Sequence, residues 1–108
     1  MNTRKTPRIP LLADVTYEAA GKFFSSLLFE IGGGGAFVGA PRPLETGHEL
    51  VLCFNVPGLA QSLLASGTVV YNWEPDDYID RGMGVRFDDM SPDDRERLNA
   101  FVAGSTRQ

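Results

Sequence analysis

Glu30-Ile31-Gly32-Gly33-Gly34-Gly35-Ala36-Phe37-Val38 is the stretch on which the reading of this chain turns. Four consecutive glycines separate two short apolar runs. The run after them, Ala36 to Val38, is strand-like, and Gly39, Pro41 and Pro43 close it before a helix has room to form. Without that helix a dinucleotide-binding fold is excluded in practice. No Lys-Ser or Lys-Thr follows the glycines, so they are not a P-loop. Two readings stay open: a glycine-rich hairpin turn, or a place where backbone approaches a ligand closely because side chains are missing.

Outward from this stretch the chain reads as strands. Leu12 to Glu18 carries β-branched and aromatic residues, Gly21 marks a turn, and Lys22 to Phe29 pairs back as a hairpin. Glu30 to Gly35 is the glycine turn and Ala36 to Val38 a short third strand. In Glu49 to Val56, Leu50, Leu52 and Phe54 share one face while Val51 and Cys53 share the other. Pro57-Gly58 is a turn signal. Leu63 to Trp73 is a further strand with Gly67 as a bulge, and Glu74 to Asp80 an acidic loop. Gly82 to Phe87 alternates cleanly, with Met83, Val85 and Phe87 on one side. Six strands with turns between them predict a small barrel or sandwich, with Phe37 and Trp73 assigned to its core.

The period changes at the C-terminal end. Ser91 is a good N-cap, Pro92 suits the first helical position, and Asp93 and Asp94 complement the positive helix start. Ser91 and Asp94 have capping-box spacing. Leu98, Phe101 and Val102 form one apolar stripe, and Gly104 is expected to end the helix.

Composition limits the function. The chain has 108 residues, one domain's worth. Cys53 is the only cysteine and His48 the only histidine, which excludes a disulfide framework and a zinc finger. The two are five apart on one predicted strand and face opposite ways, so they form no nucleophile–base pair. Cys53 reads as a small buried hydrophobe. The acidic loop lacks the ligand spacing and central glycine of a calcium loop. No enzymatic activity, metal or resident cofactor is expected, and nothing specific supports a carbohydrate binder.

The net charge of −4 argues against DNA or RNA as a partner. The charge is uneven: residues 1–42 carry a net of +2 and residues 43–108 a net of −6. A small anionic ligand at the basic end remains open. No apolar run approaches the roughly 18 to 20 residues of a membrane span, and no signal-peptide-like segment follows Met1 to Pro10, so a cytoplasmic location without membrane insertion is expected.

Arg4 and Arg8 lie four apart in an extended segment punctuated by Pro7 and Pro10, which places them on one side about 13 Å apart. Two forked guanidiniums at that spacing suit two phosphates, or a phosphate and a guanine edge. The order of features is more specific than any one of them. Arg4-Lys5-Thr6-Pro7-Arg8 precedes the first strand, and the Glu30–Val38 stretch follows a hairpin. Gly67-Thr68-Val69-Val70 and Gly82-Met83-Gly84-Val85-Arg86-Phe87 come later.

In this order the chain resembles a PilZ domain, the bacterial receptor module for cyclic di-GMP, from Arg4 to about Val102. The resemblance implies a mainly β fold, a six-stranded antiparallel barrel with one C-terminal helix. The whole chain, residues 1–108, would be a single such domain: an extended ligand segment at 1–10, the barrel at 11–88 and the helix at 91–103. It also implies a ligand site. The family pattern is R-x-x-x-R followed by D/N-x-S-x-x-G; Arg4 and Arg8 match the first motif and Gly35 the closing glycine of the second. Glu30 stands where Asp or Asn belongs, and Gly32 where Ser belongs. Glu30 keeps a carboxylate but shifts it by a methylene, and Gly32 removes a hydroxyl. The expected function is a regulatory adaptor of cyclic di-GMP-type signalling, controlling motility or surface behaviour through an unidentified protein partner, with weak or lost nucleotide binding. The alternative is a working cyclic di-GMP receptor that uses Arg4 and Arg8.

Overall fold

The computed structural model describes residues 8–77 and 80–106. Its elements run β1 (Arg8–Ala19), β2 (Lys22–Gly32), β3 (Gly35–Gly39), β4 (Glu49–Phe54), β5 (Leu63–Trp73), β6 (Gly82–Met90) and α1 (Pro92–Thr106). The strands close into a barrel in the order β1-β2-β3-β6-β5-β4, every pair antiparallel. Of the two layouts compatible with six short strands, the closed one is formed.

Alternation dictates which face turns inward. Ala13, Val15 and Tyr17 on β1, Leu50, Leu52 and Phe54 on β4, and Met83, Val85 and Phe87 on β6 are all buried. Phe54 and Phe87 stack across the interior at 5.7 Å. Burial of its ring end pushes the Tyr17 hydroxyl above its ordinary pKa.

The β1–β2 connection is the two-residue Ala20-Gly21, both at positive φ (52° and 78°). That is the mirror-image turn whose twist matches a hairpin, and Gly21 supplies half of it without a Cβ penalty. At Pro57-Gly58 the Leu59 N–H donates to the Val56 carbonyl (3.0 Å), closing the expected turn. Gly67 sits at a register shift against β6, as its place in the strand implied.

The helix covers the barrel through buried Leu98 and Val102, with Phe101 partly buried beside them. Ser91 caps it, its hydroxyl accepting from the Asp94 N–H at 3.1 Å. The other half of a capping box is used differently: Asp94 accepts from the Leu64 N–H of β5 (3.1 Å) and from Arg97. The same residue that starts the helix therefore pins it to the sheet. Gly104 does not end the helix. It lies inside the last turn, outside the left-handed conformation of a glycine cap, and α1 continues to Thr106.

Three further expectations change. β2 extends through Glu30 to Gly32, so the turn contains only Gly33 and Gly34. Cys53 is half-buried on the outer face, where it lines a surface hollow with Val51 and Leu64. Trp73 is 57% exposed and Phe37 is half-buried on the outer wall, both outside the core to which their size had assigned them.

Candidate functional site

The glycine turn is held from three directions. Phe87 N–H donates to the Gly34 carbonyl (2.9 Å), and Arg95 of α1 donates to the Gly33 carbonyl (2.9 Å). Gly35 pairs with Arg86 on β6. These bonds satisfy carbonyls that a bare turn would leave to solvent, and they fix the corner where β2, β3, β6 and α1 meet.

Arg8 begins β1 opposite Gly32, and Pro10 stands opposite Glu30. Arg8 and Glu30 are thus diagonal neighbours across one strand pair. The Arg8 Nη1 lies 3.6 Å from Glu30 Oε1. That is an ion pair without hydrogen-bond geometry. The Arg8 side chain is 17% exposed and that of Glu30 43%, so the pair is worth at most about 1 kcal/mol. A Cβ built on Gly35 would lie 3.3 Å from Arg8 Nη2 and would overlap the Val85 carbonyl. Gly35 is therefore what lets the guanidinium settle against β3.

A bulge brings Glu30 to this position. Leu28 and Ile31 are both fully buried although three apart, and the β2–β3 register shifts between Leu28 and Glu30. Phe29 and Glu30 consequently both face outward. Of the sequence-predicted residues, Arg8, Glu30, Gly32 and Gly35 meet at one corner. Arg4 lies outside the described residues.

Two groups absent from the predicted site join it. Arg86 stands opposite Gly35 and, on its other side, opposite Thr68. Its Nε donates to Asp88 at 2.9 Å, while the Thr68 hydroxyl donates to the same carboxylate at 2.5 Å. The Thr68 hydrogen bond, reinforced by Arg86, holds the Asp88 carboxyl below its ordinary pKa.

The second group is aromatic. Phe37 and Tyr71 stand on either side of Gly84 in register, and Trp73 stands opposite Gly82. A Cβ at Gly84 would overlap the Tyr71 ring, and one at Gly82 would sit 2.5 Å from Phe37 Cζ. The two glycines thus form a shelf on which the rings lie, with Phe37 and Tyr71 6.2 Å apart at 25°. Glu30, Phe37, Tyr71, Trp73, Pro75 and Asp80 line an open cleft of about 470 Å³. The signal in the sequence was the pair of glycines two apart on β6 facing strands with outward aromatics, but it needs the register to be read.

Among the described residues no group of His, Cys, Asp and Glu is placed to hold a metal ion. No helix among them is long and apolar enough to cross a membrane.

A closed six-stranded antiparallel barrel, capped by a C-terminal helix and carrying an arginine at the start of β1 beside a glycine corner, defines a class of small β-barrel domains. The PilZ domain family model matches residues 2–104, and the chain belongs to that family. Where a PilZ domain takes cyclic di-GMP, the nucleotide is a ligand rather than a cofactor. No curated protein matches the sequence. Solved structures show the same fold at low identity. The Bacillus subtilis inhibitor of motility, MotI/DgrA, aligns with a TM-score of 0.84 at 16% identity, covering 100% of this chain and 55% of that one. This chain thus spans about half the length of the Bacillus protein. The PilZ domain of YcgR from Escherichia coli, solved with c-di-GMP, aligns at 0.75 and 16% identity, covering 95% and 91% of the two chains. The PilZ domain of CeSA from a cellulose-synthesizing bacterium aligns at 0.64 and 18% identity, covering 94% and 99%.

Proposed function

We propose that this PilZ domain is a regulatory adaptor of cyclic di-GMP-type signalling, acting in the cytoplasm through a protein partner and performing no chemistry, with nucleotide binding weakened at its second motif. The observation that carries this reading is the Arg8–Glu30 pair. The guanidinium that a ligand phosphate would take already has a carboxylate 3.6 Å away. A phosphate must displace or tolerate that charge. Gly32 offers no hydroxyl in return, and a hydrogen bond to a charged group is worth about 1.5–3 kcal/mol, or roughly ten- to a hundredfold in affinity. The likeness to an inhibitor of motility supports a role in motility or surface behaviour.

One observation favours the rival reading of a working receptor. Gly35 keeps the space in which Arg8 lies against β3, which leaves room for one of the two motif arginines. Calorimetry with cyclic di-GMP on the full chain, at fixed salt, decides between them. The adaptor reading expects no resolvable heat at micromolar concentrations. Micromolar or tighter binding that disappears in Arg8→Ala overturns it.

A further inference from the structure

The cleft beside the glycine corner has a composition that the nucleotide motifs do not explain. Three aromatic side chains line it, and they are held outward: Trp73 is 57% exposed and Tyr71 42%. Large rings are rarely left this exposed in a row, and such patches mark contact surfaces. Phe37 and Tyr71 lie close on β6 because Gly82 and Gly84 carry no side chains that would lift them off. Among the described residues, the ionisable side chains lining the cleft besides Tyr71 are two carboxylates, Glu30 and Asp80. Asp76 and Asp77 follow Pro75 in the same acidic loop.

Among the described residues, two arginines lie nearby and point elsewhere. Arg8 pairs with Glu30 from the β1 side, and Arg81 donates from Nε to the Pro75 carbonyl at 2.8 Å. Neither lines the cleft. Aromatic faces carry negative potential, and carboxylates at their rim add to it. A phosphate is disfavoured in this setting, whereas a planar cation is matched both by the ring faces and by the acids. Among protein side chains that is arginine, which stacks on rings and donates paired hydrogen bonds to carboxylates.

We infer that the cleft formed by Phe37, Tyr71, Trp73, Glu30 and Asp80 is the docking site for a partner protein and receives an arginine side chain from it. This deepens the adaptor reading and rests on it, because it names the chemistry by which the partner is held.

Trp73 is the only tryptophan, so its emission reports on the cleft directly. The full chain is titrated with a short capped glycine-serine peptide carrying one central arginine, and with the same peptide carrying citrulline, which keeps the shape and loses the charge. The arginine peptide should shift Trp73 emission saturably and bind roughly fivefold or more tighter than the citrulline peptide. Asp80→Asn, a change in an exposed loop, should weaken the arginine peptide about threefold and leave the citrulline peptide unmoved. Equal affinity of the two peptides, or no emission change at tens of millimolar, overturns the inference. A shift of Trp73 by micromolar cyclic di-GMP also overturns it, by assigning the rings to a nucleotide base. The two readings fail separately: silence of the peptides removes the arginine site, whereas nucleotide heat that depends on Arg8 removes the adaptor reading.

Discussion

Two sets of glycines flank the β3–β6 pair of this barrel and do opposite things. Gly32 to Gly35 thin out a motif: one of them stands where a hydroxyl belongs, and another makes room for Arg8. Gly82 and Gly84 build something, because their missing side chains seat Phe37 and Tyr71 on the outer wall. The first set is defined by what its backbone touches, the second by which rings it supports. On the proposed adaptor reading, the thinned motif and the seated rings are the two sides of one contrast.

Substitutions test that contrast, and the largest effect is expected at Gly35. A Cβ there meets the Val85 backbone carbonyl, which the barrel ladder holds in place. Gly35→Ala should lower unfolding free energy by about 3 kcal/mol in denaturant titration. A loss under 1 kcal/mol would mean that the corner yields, and the contrast between the two glycine sets would dissolve.

Next is restoration of the motif. Glu30→Asp with Gly32→Ser should tighten cyclic di-GMP at least about tenfold in calorimetry, by removing the carboxylate's reach to Arg8 and returning one hydrogen bond. Unchanged heat would place the defect outside those two residues.

Gly84→Ala comes third. Its Cβ meets a ring, and that ring is 42% exposed and free to swing into solvent. The stability loss should be only about 1 kcal/mol, while the Trp73 emission response to the arginine peptide should fall about threefold. A loss equal to that of Gly35→Ala would show that the shelf is structural core.

The smallest effect concerns pH. Asp88 ties Arg86 down beside Gly35, and its carboxyl titrates below the ordinary range because the Thr68 hydroxyl and Arg86 donate to it. A folded-state pKa that is lowered adds stability above the unfolded value, and that stability disappears as pH falls through the lowered one. Denaturant midpoints from about pH 6 down to about pH 2 should therefore fall slightly more for the parent than for Asp88→Asn. Parallel curves would mean the tether contributes nothing.

The strands were legible because inward residues alternate with outward ones. β5 matches its sequence bounds, Leu63–Trp73, and Ser91-Pro92 located the helix start. The corner was legible in part, since Arg8, Glu30, Gly32 and Gly35 could be placed by motif order. The bulge at Phe29 was not. It inserts one residue without any local signature, and it decides that Glu30 faces Arg8 rather than the interior. Trp73 was misassigned for a related reason: a large ring is buried on average, and only the register shows that β6 offers it a glycine. The helix outlasted Gly104 because nothing there requires a left-handed turn.

The way the glycine corner is held has a consequence in time. Gly33, Gly34 and Gly35 sit in the first third of the chain, yet their partners, Arg95, Phe87 and Arg86, come from its last quarter. β3 has β6 as its second neighbour, so the sheet cannot close before β6 exists. Non-local pairings of this kind make folding slow, because loop-closure entropy is lost before the contacts form. On the ribosome, the first hairpin can assemble with Arg8 and Glu30 side by side, while Gly33 to Gly35 wait for β6 and α1. The glycine part of the family's signature is thus completed later than the Arg8–Glu30 part.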